Sequence, residues 1–86
     1  MPNVVRSTIT KAVRAGLRGR SISDDIRTAL TDGDRALKTE ALRFDSLAWM
    51  EFCIAIEVES GHGLTPADVG QMRHVYEIEE WLLARS

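Results

Sequence analysis

The sequence predicts an all-α domain of four helices, with a long loop between the first and second and a short third helix. Three observations carry this prediction. Apolar residues recur at helical spacing over residues 5–17 and again over 47–58. No stretch alternates apolar and polar residues for long enough to mark a strand, and no internal repeat is visible. The connections between the last three helical segments are short, which favours a compact bundle.

Val5, Ile9, Val13 and Leu17 fall every four residues with Ala12 and Gly16 beside them, so an amphipathic helix is expected over residues 3–18. Asn3 can cap its start and Gly19 can end it. The pattern weakens over residues 20–44. Ser23, Asp24 and Asp25 read as a helix start, Ile22, Ile26 and Leu30 as apolar anchors, and Thr31-Asp32-Gly33-Asp34 as a break. A long loop holding one short helix is expected there. Leu47, Met50, Ile54 and Val58 define the second helix, over residues 46–60. Phe52, Cys53 and Ile56 widen its apolar surface, and Glu51, Glu57 and Glu59 supply its wet side. Gly61-His62-Gly63 stops it. Thr65, Pro66 and Asp68 combine a capping hydroxyl, a proline at the first helical position and an acid three residues after the cap, opening a third helix over 66–71. The last helix, over 74–84, sets Val75, Ile78, Trp81 and Leu82 on one face and Glu77, Glu79 and Glu80 toward water.

A chain of 86 residues that is 44% hydrophobic and 28% charged holds one domain, over residues 1–86, with one modest core. That size argues against a deep cleft of converging catalytic groups. No apolar run approaches the ~18 residues of a membrane span, and the first twenty residues lack the apolar core of a signal peptide. A soluble, cytoplasmic monomer is expected. The single cysteine, Cys53, cannot close an intrachain disulfide and lies in an apolar stretch, so it reads as core.

Charge is uneven along the chain. Residues 1–20 carry Arg6, Lys11, Arg14, Arg18 and Arg20 and no acid, whereas residues 21–86 carry six bases and thirteen acids. A nucleic-acid interface would call for interleaved aromatics or a recognition helix, and neither is present. The basic run reads instead as a solvated face that complements the acidic remainder. His62 and His74, twelve residues apart, have no cysteine or carboxylate at metal-ligand spacing. No glycine-rich phosphate loop occurs, and no constellation of nucleophile, base and acid can be assembled: Asp45 is beside Ser46 in sequence, but adjacent residues at a helix start point in different directions.

The segment Leu42-Arg43-Phe44-Asp45-Ser46-Leu47 places a serine at the start of the second helix. Read alone, Asp45 or Ser46 is an N-cap. A serine hydroxyl at that position is also exposed and close to the positive end of the helix dipole, where a phosphodiester is well placed. Downstream follow Glu51, Ala55, Glu57 and Glu59, the turn from Gly61 to Leu64, then Asp68 and Val69, then Val75, Ile78 and Leu82. With this spacing, about half the chain resembles the acyl carrier protein family. The resemblance implies a four-helix acyl-carrier-protein-like bundle in which Ser46, flanked by Asp45 and Leu47, carries a 4'-phosphopantetheine arm installed by a phosphopantetheinyl transferase. The thiol of that arm would hold an acyl group as a thioester and present it to acyl-loading, acyl-transfer or condensing enzymes. The protein would be a free-standing shuttle with no active site of its own. Leu47, Trp49, Met50, Glu51, Ile54 and Glu57 would meet those partners.

Three departures qualify the resemblance. Arg43 stands where the family usually has glycine, so the turn into the helix must take a different or a strained geometry. Ala48 and Trp49 replace the acidic residues expected after Leu47, and Trp49 is expected to be partly exposed. The first loop is longer and the net charge of −2 less acidic than the family's habit. Together these point to a specialised pathway, such as polyketide or modified-lipid assembly. The alternatives are an aminoacyl or peptidyl carrier of the same fold, and a helical interaction module that uses its basic face.

Overall fold

The computed structural model describes residues 2–85, with side chains from Val4 onward. These residues form five α-helices rather than four: α1 (Pro2–Leu17), α2 (Asp24–Asp32), α3 (Ser46–Ser60), α4 (Pro66–Gly70) and α5 (Val75–Arg85), with a 3-10 turn at Thr39–Leu42. None of them is long and apolar enough to cross a membrane.

The first helix forms as its spacing predicts. Val5, Ile9, Val13 and Leu17 are all buried, and α1 packs chiefly along α3. Gly16 sets how close the two can come. A Cβ on Gly16 would lie 2.6 Å from Cζ of Phe44 and 3.1 Å from the Ala48 carbonyl oxygen, so any side chain there would force them apart. Asn3 lies inside α1, and its capping role falls outside the described side chains. Arg18, at φ 55°, begins the left-handed exit that Gly19 continues.

The expected short helix in the first loop is a full two and a half turns. Ser23 caps it, accepting from the Ile26 N–H at 3.3 Å, and Gly33 closes it at φ +68°. The chain from 34 to 45 is then tied to the segment that leads into α5. The Thr39 N–H donates to the Arg73 carbonyl at 2.9 Å, and the Val75 N–H to the Leu37 carbonyl at 3.0 Å, closing a single antiparallel bridge between Lys38 and His74.

In α3 the stripe that defines the helix is not the stripe that builds the core. Ala48, Phe52, Cys53 and Ile56 are buried, whereas Leu47, Met50, Ile54 and Val58 are 46%, 51%, 56% and 77% exposed. The helix is apolar nearly all round, so periodicity alone cannot choose its inner face. Phe52 and Ile56 meet Val13 of α1 and Ile78 and Leu82 of α5 in one continuous core.

The capping box before α4 is complete. Thr65 Oγ1 accepts from the Asp68 N–H, and Asp68 Oδ2 accepts from the Thr65 N–H, both at 3.1 Å. Two glutamates of α5 expected to face water are instead engaged. Glu77 folds back to accept from the Arg73 and His74 N–H groups, both at 2.8 Å, and Glu79 lies 3.9 Å from Arg6. Glu77 thereby satisfies two backbone donors that lead into α5.

Those N–H donors hold the Glu77 carboxyl below its ordinary pKa, and the Thr65 N–H and hydroxyl do the same for Asp68. A depressed carboxyl pKa means the unfolded chain takes up protons first. The stability each contributes is therefore complete above the unfolded pKa and is lost as pH falls through the folded one. Glu77→Gln is expected to flatten the acid side of a plot of Tm against pH, as read by circular dichroism. An unchanged acid limb would remove Glu77 from the account.

Candidate functional site

The site is built by the turn that delivers the chain into α3. Leu42 is buried, and Arg43 then takes the left-handed conformation, φ 54° and ψ 40°, with its N–H on the Glu40 carbonyl at 3.0 Å. This is the strained geometry that the absence of glycine implies, because a Cβ in this region costs about 1 kcal/mol or more. The turn sends Phe44 inward beneath Gly16 and leaves Asp45 extended. Arg43 is exposed and forms no ion pair among the described residues. Arg43→Gly is therefore expected to raise stability by about 0.5–1 kcal/mol in urea unfolding, and any loss would show that the arginine side chain has a structural role.

Asp45 is the N-cap of α3. Its Oδ1 accepts from the Ala48 N–H at 2.8 Å, and its carbonyl from the Trp49 N–H at 3.0 Å. Ser46 is consequently the first helical residue rather than the cap. Its side chain is exposed, and its hydroxyl has no hydrogen-bond partner among the described residues. Leu47 follows, also exposed.

Beside Ser46 runs a groove of about 460 Å³. Trp49 and Met50 of α3 line it from one side, Pro66 and Val69 of α4 from another, and Met72, Thr39 and Glu40 close it. The Thr39 hydroxyl is spent on the Met72 and Arg73 carbonyls at 3.2 and 3.3 Å, which holds the 3-10 turn against the α4–α5 connection. Trp49 is half-buried, as its sequence position predicts. It sits edge-on to Phe44 at 4.9 Å and to Phe52 at 5.2 Å between ring centroids, a geometry that suits the aromatic quadrupole. Thr39, Glu40 and Met72 come from segments without periodicity, and no sequence signal marks them as groove residues.

On the outer side of α3, Leu47, Met50 and Ile54 form an exposed apolar strip, with Val58 continuing it. Glu57 is exposed and Glu51 half-buried. Cys53 points the other way into the core, and burial pushes its thiol up to about 11, so it stays protonated and poorly nucleophilic at neutral pH. Among the described residues, no group of three histidine, cysteine, aspartate or glutamate side chains could hold a metal ion.

Compared with protein-family models, curated proteins and solved structures, the chain has no significant match to any of them.

Proposed function

We propose that this chain is a carrier domain, with 4'-phosphopantetheine attached through Ser46 and an acyl group as its cargo. The observation that carries this reading is the division of labour at the start of α3. A serine beside an aspartate at a helix start is ordinarily explained as a cap. Here Asp45 does the capping, and Ser46 is left exposed with a hydroxyl that has no partner among the described residues. Nothing in the fold requires a serine at that position.

The surroundings fit a phosphodiester on Ser46. The positive end of α3 lies beneath it, and the Asp45 carboxylate is held on the Ala48 N–H. When attached, the arm supplies a terminal thiol that carries the cargo as a thioester. Trp49, Met50, Val69 and Met72 offer an apolar wall along which cargo can lie out of water. Leu47, Met50 and Ile54, with Glu51 and Glu57 alongside, give a small apolar patch with acidic neighbours. That combination suits short-lived encounters with basic faces of the transferase and of acyl-transferring enzymes. In this reading the chain binds and presents, and its partners perform the chemistry. The test is modification by a broad-specificity phosphopantetheinyl transferase with coenzyme A, followed by intact mass.

A further inference from the structure

The basic run at the start of the chain is only partly absorbed by the fold. Arg6 lies 3.9 Å from Glu79 and Lys11 3.8 Å from Glu59. Arg14, Arg18 and Arg20 form no ion pair with a described carboxylate. Two of these three do not simply face open solvent. Arg14 and Arg20 line a cleft of about 400 Å³ between α1 and α2, and Arg27 of α2 joins them in its lining.

The lining has a definite chemical character. It holds three arginines and no carboxylate, in a chain whose net charge is −2. Val13, Leu17 and Leu30, all buried, give it an apolar floor. Arg20 is tethered by Nε, which donates to the Leu17 carbonyl at 3.3 Å, and Arg27 Nη1 lies 3.5 Å from the exposed Asp24. Cations near the last turn of α1 complement its dipole. The dipole explains the charge of Arg14 and Arg18, but it does not explain a cleft with an apolar floor. Guanidinium forks match phosphate oxygens in pairs, and a volume of this size lies in the range of small-molecule sites, about 300–1,000 Å³. No aromatic side chain lines the cleft to stack a nucleobase.

We propose that the α1–α2 cleft binds a phosphate monoester carried on an apolar body, with the phosphate on Arg14, Arg20 and Arg27 and the body over half-buried Ile22 and the edges of Leu17 and Leu30. This site is separate from Ser46 and does not depend on the carrier reading.

The test is titration of the ¹⁵N-labelled full chain with 1-naphthyl phosphate, with inorganic phosphate as the headgroup alone. The naphthyl ester should shift amides of residues 13–31 saturably and bind at least about tenfold more tightly than inorganic phosphate, because it also covers apolar surface. The double variant R14Q/R20Q should weaken binding about tenfold or more, whereas R18Q, outside the lining, should change it less than about twofold. R14K/R20K keeps the charge but loses the fork and should fall between. Circular dichroism checks that each variant keeps its helicity. Ser46→Ala should titrate like wild type, so failure here and failure of the carrier reading are separable. Vesicles of phosphatidylcholine with or without phosphatidic acid identify the source. Sedimentation that requires phosphatidic acid and is lost in R14Q/R20Q assigns a lipid headgroup, and its absence alongside naphthyl phosphate binding assigns a free ester. No saturable shift in residues 13–31, or an R18Q loss equal to that of R14Q/R20Q, would overturn the proposal, the latter by reducing it to diffuse surface charge.

Discussion

Incubated with coenzyme A and a broad-specificity transferase, wild-type protein is expected to gain the mass of one phosphopantetheine group and Ser46→Ala none. In the proposed carrier role the effect is all-or-none, because the arm would be attached through the Ser46 oxygen alone. In that step its bond to phosphorus replaces the pyrophosphate linkage, the adenosine bisphosphate leaves, and the hydroxyl proton passes to the enzyme. The variant is a clean one. Ser46 is exposed and its side chain has no hydrogen-bond partner among the described residues, so removing its hydroxyl leaves α3 and its Asp45 cap intact. Asp45→Ala makes the complementary case. It keeps the nucleophile but loses the bond to the Ala48 N–H, a cap worth about 1 kcal/mol, and should load more slowly without losing the capacity. A folded wild type that gains no mass, or a gain that persists in Ser46→Ala, would sink the carrier reading.

Phe52→Ala is expected to cost about 3–5 kcal/mol in urea unfolding, against a total of roughly 4–13 kcal/mol for a domain of this length. Phe52 is fully buried, and it holds Trp49 at 5.2 Å and Phe44 at 6.2 Å between centroids. Phe44 in turn fills the space that Gly16 leaves. Truncation therefore opens a cavity and unseats both rings, which the near-ultraviolet dichroism of Trp49 would report. Ile54→Ala is the control from the opposite side of the same helix. At 56% exposure it should cost less than about 0.5 kcal/mol. Equal losses would mean that α3 presents a different face to the core.

The sequence carried most of the helices because their ends are written in residues with a local mechanism. Thr65, Pro66 and Asp68 mark the start of α4 within four positions, and Gly61 marks the end of α3. The full length of α2 is not legible in the sequence, because Asp24, Asp25, Arg27, Thr28, Thr31 and Asp32 leave it few apolar anchors. Its length depends on packing by Ile26 and Leu30 against residues far away in the chain. The inner face of α3 was illegible for the opposite reason. Leu47, Met50, Ile54 and Val58 are as apolar as Phe52 and Ile56, and only the position of α1 decides which set is covered. Asp45 and Ser46 were legible as a pair, and the structure adds which of them caps. The groove was not, since it exists only where the 3-10 turn and the α4–α5 connection meet. Glu77 and Glu79 read as solvent-facing because a carboxylate that folds back on nearby backbone N–H groups, or reaches an arginine of another helix, looks in sequence like any surface acid.

The aromatic trio at the start of α3 gives the molecule an optical reporter of its own. Its two tryptophans occupy unlike settings. Trp81 lies beneath the Arg85 guanidinium at 3.8 Å, near the end of α5, whereas Trp49 borders the groove one turn from Ser46 and is gripped by two phenylalanines. Light emitted from Trp49 thus depends on whether water or an apolar group occupies the groove, with Trp81 as a steady background. Events at Ser46 can be followed in real time in the unlabelled protein, and replacing Trp81 alone would leave a single tryptophan, at the place of interest.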